Sequence, residues 1–211
     1  MEIVQAYLME FVREDHPRLR AIREEEHRRC DIQPSIGPEV GRLLGLLIRL
    51  TGATRVLELG TCLGYSTVWL AEALNETGGH VISIEWNEEL YTTTLANLAA
   101  AGLADCVDVR LADAREAVRT LSGPFDLILQ DADKRLYPEL LEDCIRLLRP
   151  GGLLIADDAL FKPMGVAAPF SDPVDAYNRR VFQDPRLYST LLPIGDGVAV
   201  SLKLPERPLR R

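Results

Sequence analysis

Arg55-Val-Leu-Glu-Leu-Gly-Thr-Cys-Leu-Gly-Tyr-Ser-Thr67 decides how the rest of the chain is read. Residues 55–59 form a short apolar run of Val and Leu, the composition of a parallel strand buried on both faces. Gly60 and Gly64 bracket a tight turn, and a helical pattern opens at Tyr65. A strand that turns through glycines into a helix N-terminus sets backbone N–H groups beside a bound ligand. The spacing is E-x-G-x-x-x-G, not the G-x-G-x-x-G of a dinucleotide pyrophosphate site. Glu58 would sit badly against a pyrophosphate and well against a cation.

Outward from this stretch the pattern alternates. Helix 65–74 is followed by strand 80–85, helix 88–100 by strand 107–112, and a short helix near 114–120 by strand 125–130. Helix 137–148 then precedes strand 153–156. Alternation of apolar strands with helices implies an α/β doubly wound, mostly parallel sheet with helices on both faces. Beyond Pro173 come one more helix, to about Phe182, and strands 188–194 and 198–202. Gly195-Asp196-Gly197 between those strands is a hairpin signal, which makes seven strands in all. Upstream, Pro38 opens a helix that closes at Thr51-Gly52. Residues 1–29 carry helical periodicity with Ile3, Tyr7, Leu8, Phe11 and Val12 on one face, and 18–29 read as a solvated or subunit-facing helix. Cys30 to Pro38 reads as a loop.

The 211 residues suit one domain, with 1–35 as N-terminal helices and a substrate or dimer loop, and 36–204 as the ligand-binding core. A formal charge of −8 and the absence of a basic run, apart from residues 207–211, argue against a nucleic-acid partner. No apolar run approaches ~18 residues, so no membrane span is expected, and the N-terminus is unlike a signal peptide. Cys30, Cys62, Cys106 and Cys144 are scattered, which suggests a reducing, cytoplasmic setting and buried thiols. His16, His27 and His80 are equally dispersed and read as structural or exposed. Only three lysines, Lys134, Lys162 and Lys203, stand among 21 arginines, which makes each worth locating.

In such sheets ligands lie at the carboxyl ends of the strands. Strand one ends in Glu58 and Gly60, with Thr61 following. Strand two ends in Glu85, whose two oxygens match a ribose cis-diol; Trp86 after it could stack on adenine or pack in the core. Asp113-Ala114 at the third end offers a carboxylate to an adenine amino group, or a helix N-cap. Ser66 at the first helix start suits a methionine carboxylate. Together these favour S-adenosylmethionine (SAM) over a nicotinamide dinucleotide. Strand four ends in Gln130-Asp-Ala-Asp-Lys134 and strand five in Ala156-Asp-Asp158. Three carboxylates crowded on one rim repel unless a cation separates them, and a hard divalent ion takes oxygen ligands. Asp133 reads as a helix cap.

These stretches carry a resemblance. Glu58 to Thr67 resembles the first motif of the Rossmann-like class I SAM methyltransferases. With Gln130 to Lys134, Ala156 to Asp158 and Pro193-Ile-Gly-Asp-Gly197, the chain from about Pro34 to Leu202 is similar to the cation-dependent O-methyltransferases of caffeoyl-CoA and, more distantly, catechol type. The resemblance implies Asp131, Asp157 and Asp158 as metal ligands, for Mg²⁺ or else Mn²⁺ or Ca²⁺. It implies a SAM pocket lined by Ile36, Glu58, Gly60, Ser66, Glu85 and Ala114; Thr61, Trp86, Asp113 and Asp131 join them as cofactor candidates by their place at the strand ends. It makes Lys134, its pKa expected to be depressed by burial and the cation, the proton acceptor, with Asp131 as catalytic partner. The family usually reads Asp-Asn where this chain has Asp157-Asp158. The implied reaction is methyl transfer to a small catechol-like phenol by a homodimer. The alternatives are a metal-independent O-methyltransferase and a non-catalytic SAM-binding protein. A nucleic-acid amino-methyltransferase would show an N/D-P-P-Y/W motif after strand four, where this chain has Asp131-Ala-Asp-Lys134. Residues 161–170 read as an apolar flap, and Tyr177, Asn178 and Arg179 as facing a substrate mouth or a subunit contact.

Overall fold

A computed structural model describes residues 7, 8, 10–12 and 16–205. Helix α1 (Pro17–Glu26) and helix α2 (Pro38–Thr51) precede β1 (Arg55–Leu59) and α3 (Tyr65–Thr77). Then follow β2 (His80–Glu85), α4 (Glu88–Ala101), β3 (Val107–Leu111), α5 (Ala114–Thr120) and β4 (Phe125–Gln130). The chain continues through α6 (Tyr137–Leu147), β5 (Leu148–Ala156), α7 (Ala168–Gln183), β6 (Leu187–Leu192) and β7 (Val198–Lys203). The seven strands form one sheet in the order β3-β2-β1-β4-β5-β7-β6. β1 to β5 pair in parallel, and β7 runs antiparallel to both β5 and β6. The strand order reverses between β1 and β4, so the crevice opens there.

Strand side chains alternate between two apolar layers. Val56, Val81, Leu127 and Ile155 pack with α1 to α4, whereas Leu57, Ile82, Ile128 and Leu154 pack with α5 to α7. A sheet covered on both faces needs apolar residues at every position, which is why these strands read as continuous runs. Glycine ends α2, α3 and α4: Gly52 at φ +63° and Gly78 and Gly102 at φ +70° form the left-handed cap that other residues resist.

Several expectations are corrected. β5 begins at Leu148 rather than Leu153: Leu148 pairs with Phe125 of β4, the register then shifts, and regular pairing resumes at Leu153 opposite Leu127. α7 begins at Ala168 and carries Pro173 inside it, so the flap is shorter than 161–170. α1 is not simply solvated: Leu19 and Ile22 are fully buried, and Arg18 reaches Asn97 of α4. Tyr7, Leu8 and Phe11 are exposed rather than set against a core; Ile3 and residues 207–211 lie outside the described residues. Of the four free thiols only Cys144 is buried, and Cys30 is exposed. Tyr177 faces neither a mouth nor a subunit contact; it is wholly buried, while Asn178 donates to the Ala159 carbonyl and Arg179 pairs with Asp175 on the surface. No described helix is long and apolar enough to cross a membrane.

Candidate active site

The parallel ladder brings the strand ends into line. Gly60 N–H donates to the Ile84 carbonyl at 2.9 Å, Asp131 N–H to Leu59 at 3.0 Å and Asp157 N–H to Gln130 at 3.4 Å. Gly60 has φ +97°, and a Cβ there would lie 2.6 Å from the Asp131 carbonyl oxygen. Only glycine lets β1 and β4 end so close together.

Glu58 has no exposed surface. Its Cα partner across the β1–β2 ladder is Ser83, whose hydroxyl donates to Glu58 Oε2. Ser66 Oγ donates to Oε1 at 2.5 Å, and Thr67 Oγ1 to Oε2 at 2.6 Å. Burial pushes the carboxyl up to about 7, against the pull of these three hydroxyls. Glu58 thus ties β1, β2 and the first turn of α3 together beneath the glycine turn. Ser66, expected to face a methionine carboxylate, spends its hydroxyl proton on Glu58 instead.

Glu85 is also buried and braces the turn from the other side. Its Oε2 accepts from Thr61 N (3.2 Å), Thr61 Oγ1 (3.1 Å) and Cys62 N (3.1 Å), and its Oε1 from Asn87 N at 2.9 Å. The structure therefore unites Thr61 and Glu85, with the Glu85 oxygens already engaged by the loop. Trp86 is 75 % exposed, which removes the core alternative. Asp113 caps α5, accepting from Arg115 N–H, and its salt bridge to the Arg115 guanidinium holds it below the usual carboxylate range. Ala114 and Ile36 are buried. Ile36 lines a cavity of about 360 Å³ with Arg23, Glu26, Ser35 and Glu39, at the foot of α2.

The acidic group assembles as its spacing implies. One carboxylate oxygen each from Asp131, Asp157 and Asp158 lies within 4.8 Å of the others. Lys134 Nζ stands among them, 2.6 Å from Asp131 Oδ1, 2.7 Å from Asp158 Oδ2 and 3.0 Å from the Tyr137 hydroxyl. Burial opposes the ammonium charge, but the neighbouring Asp131 and Asp158 carboxylates hold it well above its ordinary value. The depressed lysine expected from the sequence supposes a cation beside it. Asp157 Oδ1 is buried with no hydrogen-bond partner, and burial plus repulsion from Asp131 and Asp158 drives its carboxyl well up. An orphaned carboxylate oxygen in an all-oxygen donor set fits a hard divalent cation. Asp158 adopts φ +61°, a left-handed conformation that Asp and Asn tolerate better than other side chains. Asp133 caps the short 3-10 turn ahead of α6 and pairs with Arg135.

Three-dimensional contacts add residues that sequence reasoning missed. Thr67 and Ser83 complete the Glu58 cradle, Thr94 donates to the Cys62 carbonyl at 2.9 Å, and Asn97 to Leu63 at 2.7 Å. Asp196 belongs to the acidic rim: burial and the nearby Asp158 and Glu39 raise its carboxyl. The loop holding it is fastened by Ala159 N–H to Gly197 and Leu160 N–H to the Asp196 carbonyl. Gly195-Asp196-Gly197 signals only a turn in sequence. Tyr137, three residues after Lys134, was the one omission with a usable spacing signal.

Residues 9–204 match the family model described as O-methyltransferase. The chain belongs to the O-methyltransferase family. It is 32% identical over 207 residues to catechol O-methyltransferase domain-containing protein 1 of Mus musculus, covering 94% of this chain and 79% of that protein. It is 39% identical over 130 residues to a catechol O-methyltransferase of Niastella koreensis, covering 60% of this chain and 58% of the relative, somewhat over half its length. The fold matches that of the O-methyltransferase TomG from Streptomyces achromogenes, involved in tomaymycin synthesis and solved in complex with SAM. That likeness has a TM-score of 0.84 and 26% identity, and covers 96% of each chain. The class I SAM methyltransferase fold expected from Glu58 to Thr67 is the fold observed.

Proposed function

We propose that this SAM-dependent O-methyltransferase methylates one hydroxyl of a small catechol-like phenol, with a divalent cation at Asp131, Asp157 and Asp158. The observation that carries the reading is the Asp131–Lys134–Asp158 contact beside the orphaned Asp157 oxygen. Mg²⁺ is the first candidate, with Mn²⁺ and Ca²⁺ as alternatives; such an ion supplies a lowered phenol pKa and a fixed position for two vicinal oxygens. Lys134 is the base. A cation held by Asp131, Asp157 and Asp158 would draw off the two charges that keep the Lys134 proton in place, and burial would then favour the neutral amine. Gly60, Thr61 and Glu85 shape the SAM side, with Glu85 Oε1 positioned for ribose, Trp86 for adenine, and Ile36, Asp113 and Ala114 at its borders. Asp131 joins the two halves, since its backbone touches the glycine turn and its carboxylate holds Lys134.

The rim bears Asp196 and Glu39 beside the three aspartates, an acidic lining. This supports a small phenol over an acyl-CoA thioester. The net charge of −8 supports a small molecule over nucleic acid. Exposed Leu46 and Leu50 on α2 suit a homodimer contact, and the reduced cysteines a cytoplasmic protein. One observation favours a second reading, a metal-independent O-methyltransferase: Lys134 already neutralises two of the carboxylates. Asp131→Ala separates the two. Under the cation reading it abolishes turnover, while calorimetry still shows SAM binding. Full metal-stimulated activity in Asp131→Ala would sink the proposal.

A further inference from the structure

We propose that Tyr137 is a positioning residue for Lys134, an inference that rests on the methyl-transfer reading above. Of the three groups that hold Lys134 Nζ, two are the carboxylates assigned to the cation. The third is neutral, the Tyr137 hydroxyl at 3.0 Å. That hydroxyl also lies 3.3 Å from the Asp157 carbonyl oxygen. A carbonyl can only accept, so the phenol proton is committed to Asp157 and a phenol lone pair faces Lys134. Tyr137 therefore accepts one N–H of Lys134 and cannot donate to it. A neutral lysine held this way keeps one N–H on Tyr137, so its lone pair points away from Tyr137 in one of the remaining directions.

The ring that carries this hydroxyl is immobilised. Tyr137 is fully buried, its ring stands edge-on to Tyr177 with centroids 5.5 Å apart, and Gln130 Nε2 donates to its carbonyl at 3.1 Å. Lys134 Nζ is 5.1 Å from the ring centroid, so the aromatic body supports the ammonium as well. Tyr137 thus fixes the base from the apolar side and links the end of β4 to the peptide between the two ligands at the end of β5. Its hold on Lys134 does not depend on where the carboxylates point.

The test is Tyr137→Phe in the full chain, which keeps the ring and removes one oxygen. The base contributes on the order of 10²–10⁴ in rate, so loss of its alignment is expected to cut kcat roughly tenfold or more. KM for SAM and for the catechol should stay within about twofold, the pattern of a transition-state defect. The cost should vanish in a Lys134→Met background, because Tyr137 acts only through Lys134. A readout independent of turnover comes from ¹⁵N-lysine labelling, since the chain has only three lysines. The buried Lys134 ammonium should give an exchange-protected signal with a cross-peak to the Tyr137 ring, assigned with Lys162→Arg and Lys203→Arg, and Tyr137→Phe should broaden it. An unchanged kcat with an unmoved signal would overturn the proposal. So would an equal loss in the Lys134→Met background, or a wild-type Lys134 signal with no contact to Tyr137. Absence of metal-dependent transfer by the wild type would overturn the functional reading and this role with it, and needs no variant to detect.

Discussion

Replacing Glu58 by Gln should flatten part of the pH dependence of stability. In the folded protein burial raises the Glu58 carboxyl from 4.5 to about 7. Between those values the folded chain holds a proton that the unfolded chain has released. The contribution is therefore complete below pH 4.5 and is lost as pH rises through 7. Each pH unit is worth about 1.4 kcal/mol, so wild type should lose roughly 3 kcal/mol across this window from Glu58 alone. A glutamine in its place would carry no charge at any pH. With its oxygen in the place of Oε2 the amide can accept from Thr67 and Ser83, and its nitrogen in the place of Oε1 can donate to Ser66, whose hydroxyl serves as either partner. Glu58→Gln should thus be the less stable protein at pH 5 or close to equal, and gain on wild type steadily toward pH 8. Urea unfolding of both proteins in EDTA at pH 5, 6, 7 and 8 measures the difference. A difference that stays constant with pH would refute the reasoning, because it would mean that Glu58 is ionised, or neutral, throughout.

Substitutions at two further positions follow from backbone geometry. Asp158, at φ +61°, also pairs with Lys134 at 2.7 Å, so Asp158→Asn and Asp158→Ala both lose that ion pair and both should melt below wild type; Ala should fall below Asn by roughly 1–2 kcal/mol, for a left-handed residue without a polar side chain, and equal melting of the two variants would count against strain at this position. Gly60→Ala would place a Cβ 2.6 Å from the Asp131 carbonyl oxygen at φ +97°, so a loss of about 3 kcal/mol and of SAM binding is expected in denaturant titration and calorimetry. Near-wild-type SAM affinity in Gly60→Ala would show that β1 and β4 need not meet so closely.

The parts legible in sequence are those that depend on local pattern. Continuous apolar runs announced strands covered on both faces, and the order of carboxylates at their ends placed Asp131, Asp157 and Asp158 together before any coordinates. Element boundaries were less legible: β5 begins at Leu148 rather than Leu153, and α7 begins at Ala168, ahead of Pro173. The finer geometry was out of reach because it depends on contacts between distant segments. Nothing near Glu58 in sequence shows that Ser83 faces it across a strand ladder. That Thr61 and Cys62 bond Glu85 Oε2 is equally invisible in the sequence, which shows only a carboxylate at a strand end. The charge state of Lys134 depends on two carboxylates from different strands, which no spacing rule weighs against burial.

The central claim is that these carboxylates serve a cation-dependent methyl transfer. Initial rates with labelled SAM and a panel of catechols and caffeate-like phenols, run in Mg²⁺, in Mn²⁺ and in EDTA, test it directly. Product formed only with metal present is the expected result. Equal rates in EDTA would contradict it and leave Lys134 neutralising Asp131 and Asp158 as the resident arrangement of the site.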